Sequence, residues 1–181
     1  MRPRLPRRQT KTGARSITEF FAAVNKSALR EAILRELRQE LARQTSAAQL
    51  ARDEAISEES RPENKWDTHS QEAAYLAEGQ ARLAAEIGAN IEFYSGLALP
   101  DFAPDAAIAV GALVQLEARG QPAWYFVGPR AGGLELKVGA ATILVVTPPS
   151  PLGRQLLGKR AGDTLAGAGR GAPAQRILSV A

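Results

Sequence analysis

A chain of 181 residues that is 45% hydrophobic but only 6% aromatic has room for one ordinary domain, or for a small domain carrying an extended element. With no cysteine and a single histidine, disulfides and thiolate chemistry are excluded and a histidine-based metal or catalytic site is disfavoured. The formal charge of +4 is uneven: residues 1–23 hold six cations against one acid, residues 24–97 nine against thirteen, and residues 98–181 eight against five. No apolar run approaches the roughly 20 residues that span a bilayer. The basic start also lacks the apolar core of a secretory signal, so a cytoplasmic protein without membrane contact is expected.

Residues 1–23 contain two prolines and little apolar periodicity before Ile17, which predicts a disordered basic arm, either a nucleic-acid or targeting arm or a tail without a role. From Lys26 to about Ser57 proline and glycine are absent, and Leu34, Leu37, Leu41, Ala48, Ala51 and Ala55 recur at three-then-four spacing. A second run shows Ala73, Leu76, Leu83, Ile87, Tyr94 and Leu97, with Gln80 and Asn90 in the seam. Two such seams predict an antiparallel coiled coil over 24–97. Each helix is roughly 40 to 50 Å long, so the hairpin should project beyond any 84-residue companion. Residues 58–67 form its tip, because Pro62 stops the first helix and Thr68 with Gln71 can cap the second. Towards the tip the seam thins from leucine to alanine, which predicts a narrow end suited to entering a channel.

After Leu99-Pro100-Asp101 the period changes. Ile108–Glu117, Ala123–Val127, Thr142–Thr147 and Gln175–Val180 read as strands, and Arg154–Leu157 as one helical turn, giving a small antiparallel sheet domain over 98–181 and an α+β chain.

At the tip, Glu58, Glu59, Glu63 and Asp67 crowd into ten residues, with Glu72 one turn beyond. Acids at the end of the first helix oppose its dipole, whereas Asp67 and Glu72 sit near a favourable N-terminus. Such carboxylates can complete the shell of a Mg²⁺ held by another molecule, or simply keep the tip solvated; no complete metal site of the chain's own is visible. Trp66 can anchor a partner or fold back over the alanine-rich seam. His69 reads as a first-turn residue on the solvent face.

Several motifs resemble the Gre family of bacterial transcript-cleavage factors. The likeness runs through Val110 to Val114, Trp124-Tyr125-Phe126-Val127-Gly128-Pro129, Ser150-Pro151-Leu152-Gly153-Arg154 and Leu157-Gly158-Lys159-Arg160-Ala161-Gly162-Asp163. It continues more loosely in Glu63-Asn64 and in Glu72 to Gln80, and covers about residues 24–181. The resemblance implies an N-terminal coiled coil and an FKBP-like C-terminal domain. That domain would dock on RNA polymerase beside its secondary channel while the coiled coil enters. Two tip acids would then help hold a Mg²⁺ supplied by the polymerase, which cleaves backtracked RNA; the chain is not itself an enzyme and brings no cofactor. DNA and RNA are met only through the elongation complex, by a monomer. Ser150, Pro151, Leu152, Arg154 and Lys159, with Trp66 at the tip, would meet the partner.

The tip departs from the family's Asp-Leu-x-Glu-Asn-Ala-Glu-Tyr. Aligning Glu63-Asn64 places Ser60 where the family has Asp, with Glu59 beside it; aligning Asp67 and Tyr75 makes Glu72 the second acid with one extra residue. Pro149 stands where the family often has a polar residue, and Gly153 where alanine is frequent. Val24-Asn25-Lys26 matches the Met-Asn-Lys that opens related sequences, which implies a non-AUG start at Val24, with residues 1–23 untranslated. Besides a cleavage factor, the readings open are a channel-occupying modulator without cleavage, an FKBP-fold isomerase or chaperone using Phe102, Trp124, Tyr125 and Phe126, and a coiled-coil assembly protein.

Overall fold

The computed structural model describes residues 26–56, 69–139, 141–167 and 173–181. The basic arm and its start at Val24, the tip over 58–67 and the cap at Thr68 lie outside the described residues. Among the described residues two long helices come first, α1 (Lys26–Ile56) and α2 (His69–Gly96). Six strands follow: β1 (Leu113–Ala118), β2 (Gln121–Val127), β3 (Glu135–Val138), β4 (Ala141–Val146), β5 (Thr164–Leu165) and β6 (Gln175–Val180), with a short helix α3 (Pro151–Leu156) between β4 and β5. The chain is therefore α+β.

The sheet runs β3-β4-β2-β1-β6-β5, and it is mixed rather than the expected antiparallel sheet. Four neighbouring pairs are antiparallel, but β2 and β4 run parallel, with Trp124 opposite Ile143 and Val127 opposite Val146. The cause is β3. Glu-Leu-Lys-Val over 135–138 carries too few apolar residues to signal a strand, yet it pairs with β4 as a hairpin, and that excursion returns the chain beside β2 in the same direction. The first strand is also shorter than Ile108–Glu117, because the backbone of Ile108 is engaged elsewhere: its N–H donates to the Lys159 carbonyl and its carbonyl accepts from Gly158.

Alternation along the strands divides the core between two faces. Leu113, Phe126, Leu136, Ile143 and Val145 point to one side, where they pack with Leu29, Ala32, Ile33 and Leu37 of α1 and Ile87 and Tyr94 of α2. Val114, Leu116, Val127, Val146, Ile177 and Val180 point to the other, against Ile108, Ala112 and Leu156. The start of α1 and the end of α2 share the first cluster, so the two helices run antiparallel and their common base is seated on the sheet. Each large apolar side chain buried there contributes roughly 1.5 to 3 kcal/mol. The base is thus embedded, and only the outer part of the pair projects. Outward of Leu41 and Ile87, Ala51 is the one buried residue among those described.

The seam is also less complete than its spacing predicts. Leu34, Leu41, Ala48 and Leu97 are half-buried as seam residues can be, but Leu76 is 55% and Leu83 41% exposed. Alanines as small as Ala47, Ala48 and Ala51 cannot cover a leucine on the facing helix.

Polar bonds lock the base. Arg35 Nη2 donates to the Lys137 carbonyl at 3.0 Å, tying α1 to edge strand β3. The hydroxyl of fully buried Tyr94 donates to the Arg130 carbonyl at 2.8 Å. The Arg130 guanidinium lies 4.8 Å from the centre of the Phe93 ring, adding a cation–π contact to the same join. A Cβ on Gly128 would lie 2.6 Å from the Tyr94 oxygen, so glycine there makes room for the hydroxyl.

Burial pushes the Tyr94 phenol up to about 12, the Arg130 charge opposing it in part. An unfolded tyrosine ionises near pH 10, so this stabilisation is intact below about pH 10 and is lost as pH rises through about 12. Tyr94→Phe should cost about 1 kcal/mol at neutral pH. It should also flatten the alkaline fall in stability over that window, as read by urea unfolding across a pH series.

Candidate functional site

The stretch from Ser150 to Asp163 is built from the bottom by its own capping. Ser150, at φ −69° and ψ 155°, is the N-cap of α3: its Oγ accepts the Gly153 N–H at 3.0 Å and donates to the Thr147 carbonyl at 2.7 Å. Pro151 opens the helix, where a missing N–H costs nothing. Leu157 closes it, its N–H on the Gly153 carbonyl. Beyond it, Gly158 and Lys159 exchange backbone bonds with Ile108 at 2.8 and 2.7 Å, while Gly162 and Asp163 exchange them with Ile177 at 2.8 and 2.9 Å. Asp163 Oδ2 accepts the Arg160 N–H at 2.9 Å, and the Arg160 guanidinium donates to the Asp105 carbonyl. The motif is thereby laced to three separate parts of the chain.

This lacing sorts the expected partner-binding residues. Ser150 is spent on the cap, and Leu152 packs half-buried against the core face that also holds Leu156. Pro151, Arg154 and Lys159 are exposed. Arg154 donates to the carbonyl of Pro149, so the residue in the family's polar position serves here through its backbone. Arg154 and Lys159 face a shallow hollow of about 270 Å³ that they share with Gln155, Leu157, Thr164 and Leu165. Leu157, 38% exposed, was not among the expected residues. The signal for it was present: Leu152 and Leu156 are one turn apart and both face the core, which leaves the next leucine outside.

Gly153 is required by geometry. A Cβ there would sit 2.0 Å from the Thr147 carbonyl oxygen and 2.9 Å from Ser150 Oγ, so the alanine frequent at this position in the resembled family does not fit this turn.

At the other end of the molecule, Glu72 is placed in the exposed first turn of α2. Glu59, Glu63, Trp66 and Asp67, expected beside it, lie outside the described residues. Among the described residues no group of three or more His, Asp or Glu could hold a metal ion. No described helix is long and apolar enough to cross a membrane.

The aromatic residues weighed for an isomerase groove are split by strand alternation. Trp124 packs towards the helix side of the sheet and Tyr125 towards the opposite side, while Phe126 is fully buried. Trp124 and Tyr125 border an open hollow of about 490 Å³ with Pro122, Glu135, Thr142 and Leu144.

Among solved structures, the crystal structure of GreA factor homolog 1 (Gfh1) of Thermus thermophilus is 23% identical, over 83% of this chain and 95% of its own, with a TM-score of 0.35. Thermus aquaticus Gfh1 is 21% identical over 85% and 94%, with a TM-score of 0.34. A third, described as the structure of the transcription factor Gfh1, is 21% identical over 83% and 92%, also at 0.34. No protein-family model matches the chain, and no curated protein matches it.

Gly153→Ala should destabilise the protein by about 3 kcal/mol through overpacking of the turn, and Ser150→Ala by about 1 kcal/mol through loss of the cap. Thermal unfolding of the two variants checks the order; an alanine at 153 tolerated better than one at 150 would contradict the geometry described.

Proposed function

We propose that this chain is a Gre-like regulator of transcription elongation that docks on RNA polymerase through its sheet domain and places its helix pair in the secondary channel. In this reading α1 and α2 form a coiled-coil hairpin and the sheet domain is FKBP-like. The observation that carries it is the Ser150–Asp163 turn. The motif by which the sequence resembles the family is held rigid by its cap and by backbone bonds to Ile108 and Ile177, and it offers Arg154, Leu157 and Lys159 on one surface. A fixed patch of two cations around an exposed leucine suits an acidic protein surface with an apolar centre.

The factor is a monomer and brings no catalytic machinery. Mg²⁺ comes from the polymerase, and the tip carboxylates, drawn from Glu59, Glu63, Asp67 and Glu72, act on that ion. Nucleic acid is met only within the elongation complex. An isomerase is the weaker reading, because Trp124 and Tyr125 are committed to opposite faces of the sheet.

The test is a backtracked elongation complex with Mg²⁺, scored for binding and for release of RNA 3′ fragments. Arg154→Ala combined with Lys159→Ala should weaken binding roughly tenfold, the loss expected of two charged contacts at an interface. Fragment release assigns cleavage stimulation, with Glu72→Gln then reducing it; binding without fragments assigns channel occupation. A protein that does not bind the polymerase overturns the proposal.

A further inference from the structure

The outer half of the helix pair breaks three local rules along one line of α2. Leu76 and Leu83 stand outside, while Gln80, between them on the stripe, is half-buried with its Oε1 shut from solvent and without a hydrogen-bond partner. Exchanging apolar for polar in this way costs folding energy on both counts. Gly79 lies between the two leucines, in the interior of a 28-residue helix where glycine is the least favourable residue after proline. No packing reason accounts for it, since a Cβ there would have nothing within 4 Å. The result is a ridge, a notch and a ridge on one exposed helix face. Residues that work against folding without a structural return are expected where a surface serves a partner.

Charge says what kind of partner. Glu72 and Glu86 lie four residues before Leu76 and three after Leu83, so they bracket the strip on the same face. In the outer half of the pair, 44–56 with 69–86, two Lys or Arg stand against five Asp or Glu, whereas the base, 26–43 with 87–97, carries five against four. The acidity of the hairpin is thus confined to its outer half. Phosphate backbones are repelled there, and so is a second copy of the same surface.

We infer that the Leu76–Gly79–Leu83 strip of α2 is a docking surface for a basic, aliphatic protein helix, one of whose side chains enters the notch at Gly79 while a lysine or arginine meets Glu86. This rests on the proposed function, in which the helix belongs to the channel wall of the polymerase. The strip is separate from the Arg154 and Lys159 surface and acts in addition to it.

Affinity for core RNA polymerase, measured with the full chain at two salt concentrations, tests this with Gly79→Ala, with Leu76→Ser plus Leu83→Ser, and with the Arg154→Ala plus Lys159→Ala pair as reference. The serine pair, at exposed positions, should fold and bind roughly tenfold more weakly. Gly79→Ala should raise the thermal midpoint yet weaken binding severalfold, a combination that a purely structural role for Gly79 does not produce. Higher salt should weaken the wild type more than a Glu86→Gln variant. If both strip variants bind as the wild type does while the reference pair binds weakly, the strip inference is overturned and the functional reading stands. If the wild type does not bind, the functional reading fails and takes this partner with it.

Discussion

The join between the helix pair and the sheet is the constraint on which the rest of the molecule depends. Two helices of 31 and 28 residues touch little but each other over most of their length, and an isolated pair with an alanine-rich seam gains little from burial. Stability is concentrated where Leu29, Ile33, Leu37, Ile87 and Tyr94 enter one core with Phe126, Leu136 and Ile143. The Tyr94 hydroxyl on the Arg130 carbonyl and the Arg35 guanidinium on the Lys137 carbonyl add direction to that burial, which is itself non-directional.

The opposite face of the sheet does the same for the Ser150–Asp163 turn. Leu156 and Ile108 are buried together, and the backbone bonds between Ile108 and residues 158–159 hold the loop that carries Lys159. The helix pair and the turn therefore hang from two faces of one sheet. Alternation along β1, β2 and β4 links them, since neighbouring residues such as Phe126 and Val127 serve the helix side and the turn side in succession.

Legibility in the sequence followed the range of the interactions. Both helices were readable within a residue or two, and so were β2, β4 and β6, because their apolar periods are local; the helical turn was expected over Arg154–Leu157 but starts three residues earlier, at Pro151, where Ser150 caps it. β3 was not, since its alternation of Glu135, Leu136, Lys137 and Val138 is only four residues long, and its strand character comes from pairing with β4 and from the Arg35 bond. Of the candidate site, Arg154 and Lys159 were found as exposed cations, but Ser150 and Leu152 turned out to be occupied in holding the turn, and Leu157 was overlooked. Tyr94 could be read as a seam residue, yet its role as anchor depends on a carbonyl 36 positions away.

By itself the sequence determined the parts: two long helices, a set of short strands and a capped, basic, glycine-punctuated turn, each specified by contacts within a few residues. Tertiary structure decided how the parts use their surfaces. It set β4 parallel to β2, left Leu76 and Leu83 in solvent while Gln80 went inside, and made glycine obligatory at 153 by bringing the Thr147 carbonyl against it. The physical reason is that periodicity records which face of an element is apolar, whereas coverage of that face depends on the size and position of groups supplied from elsewhere in the chain.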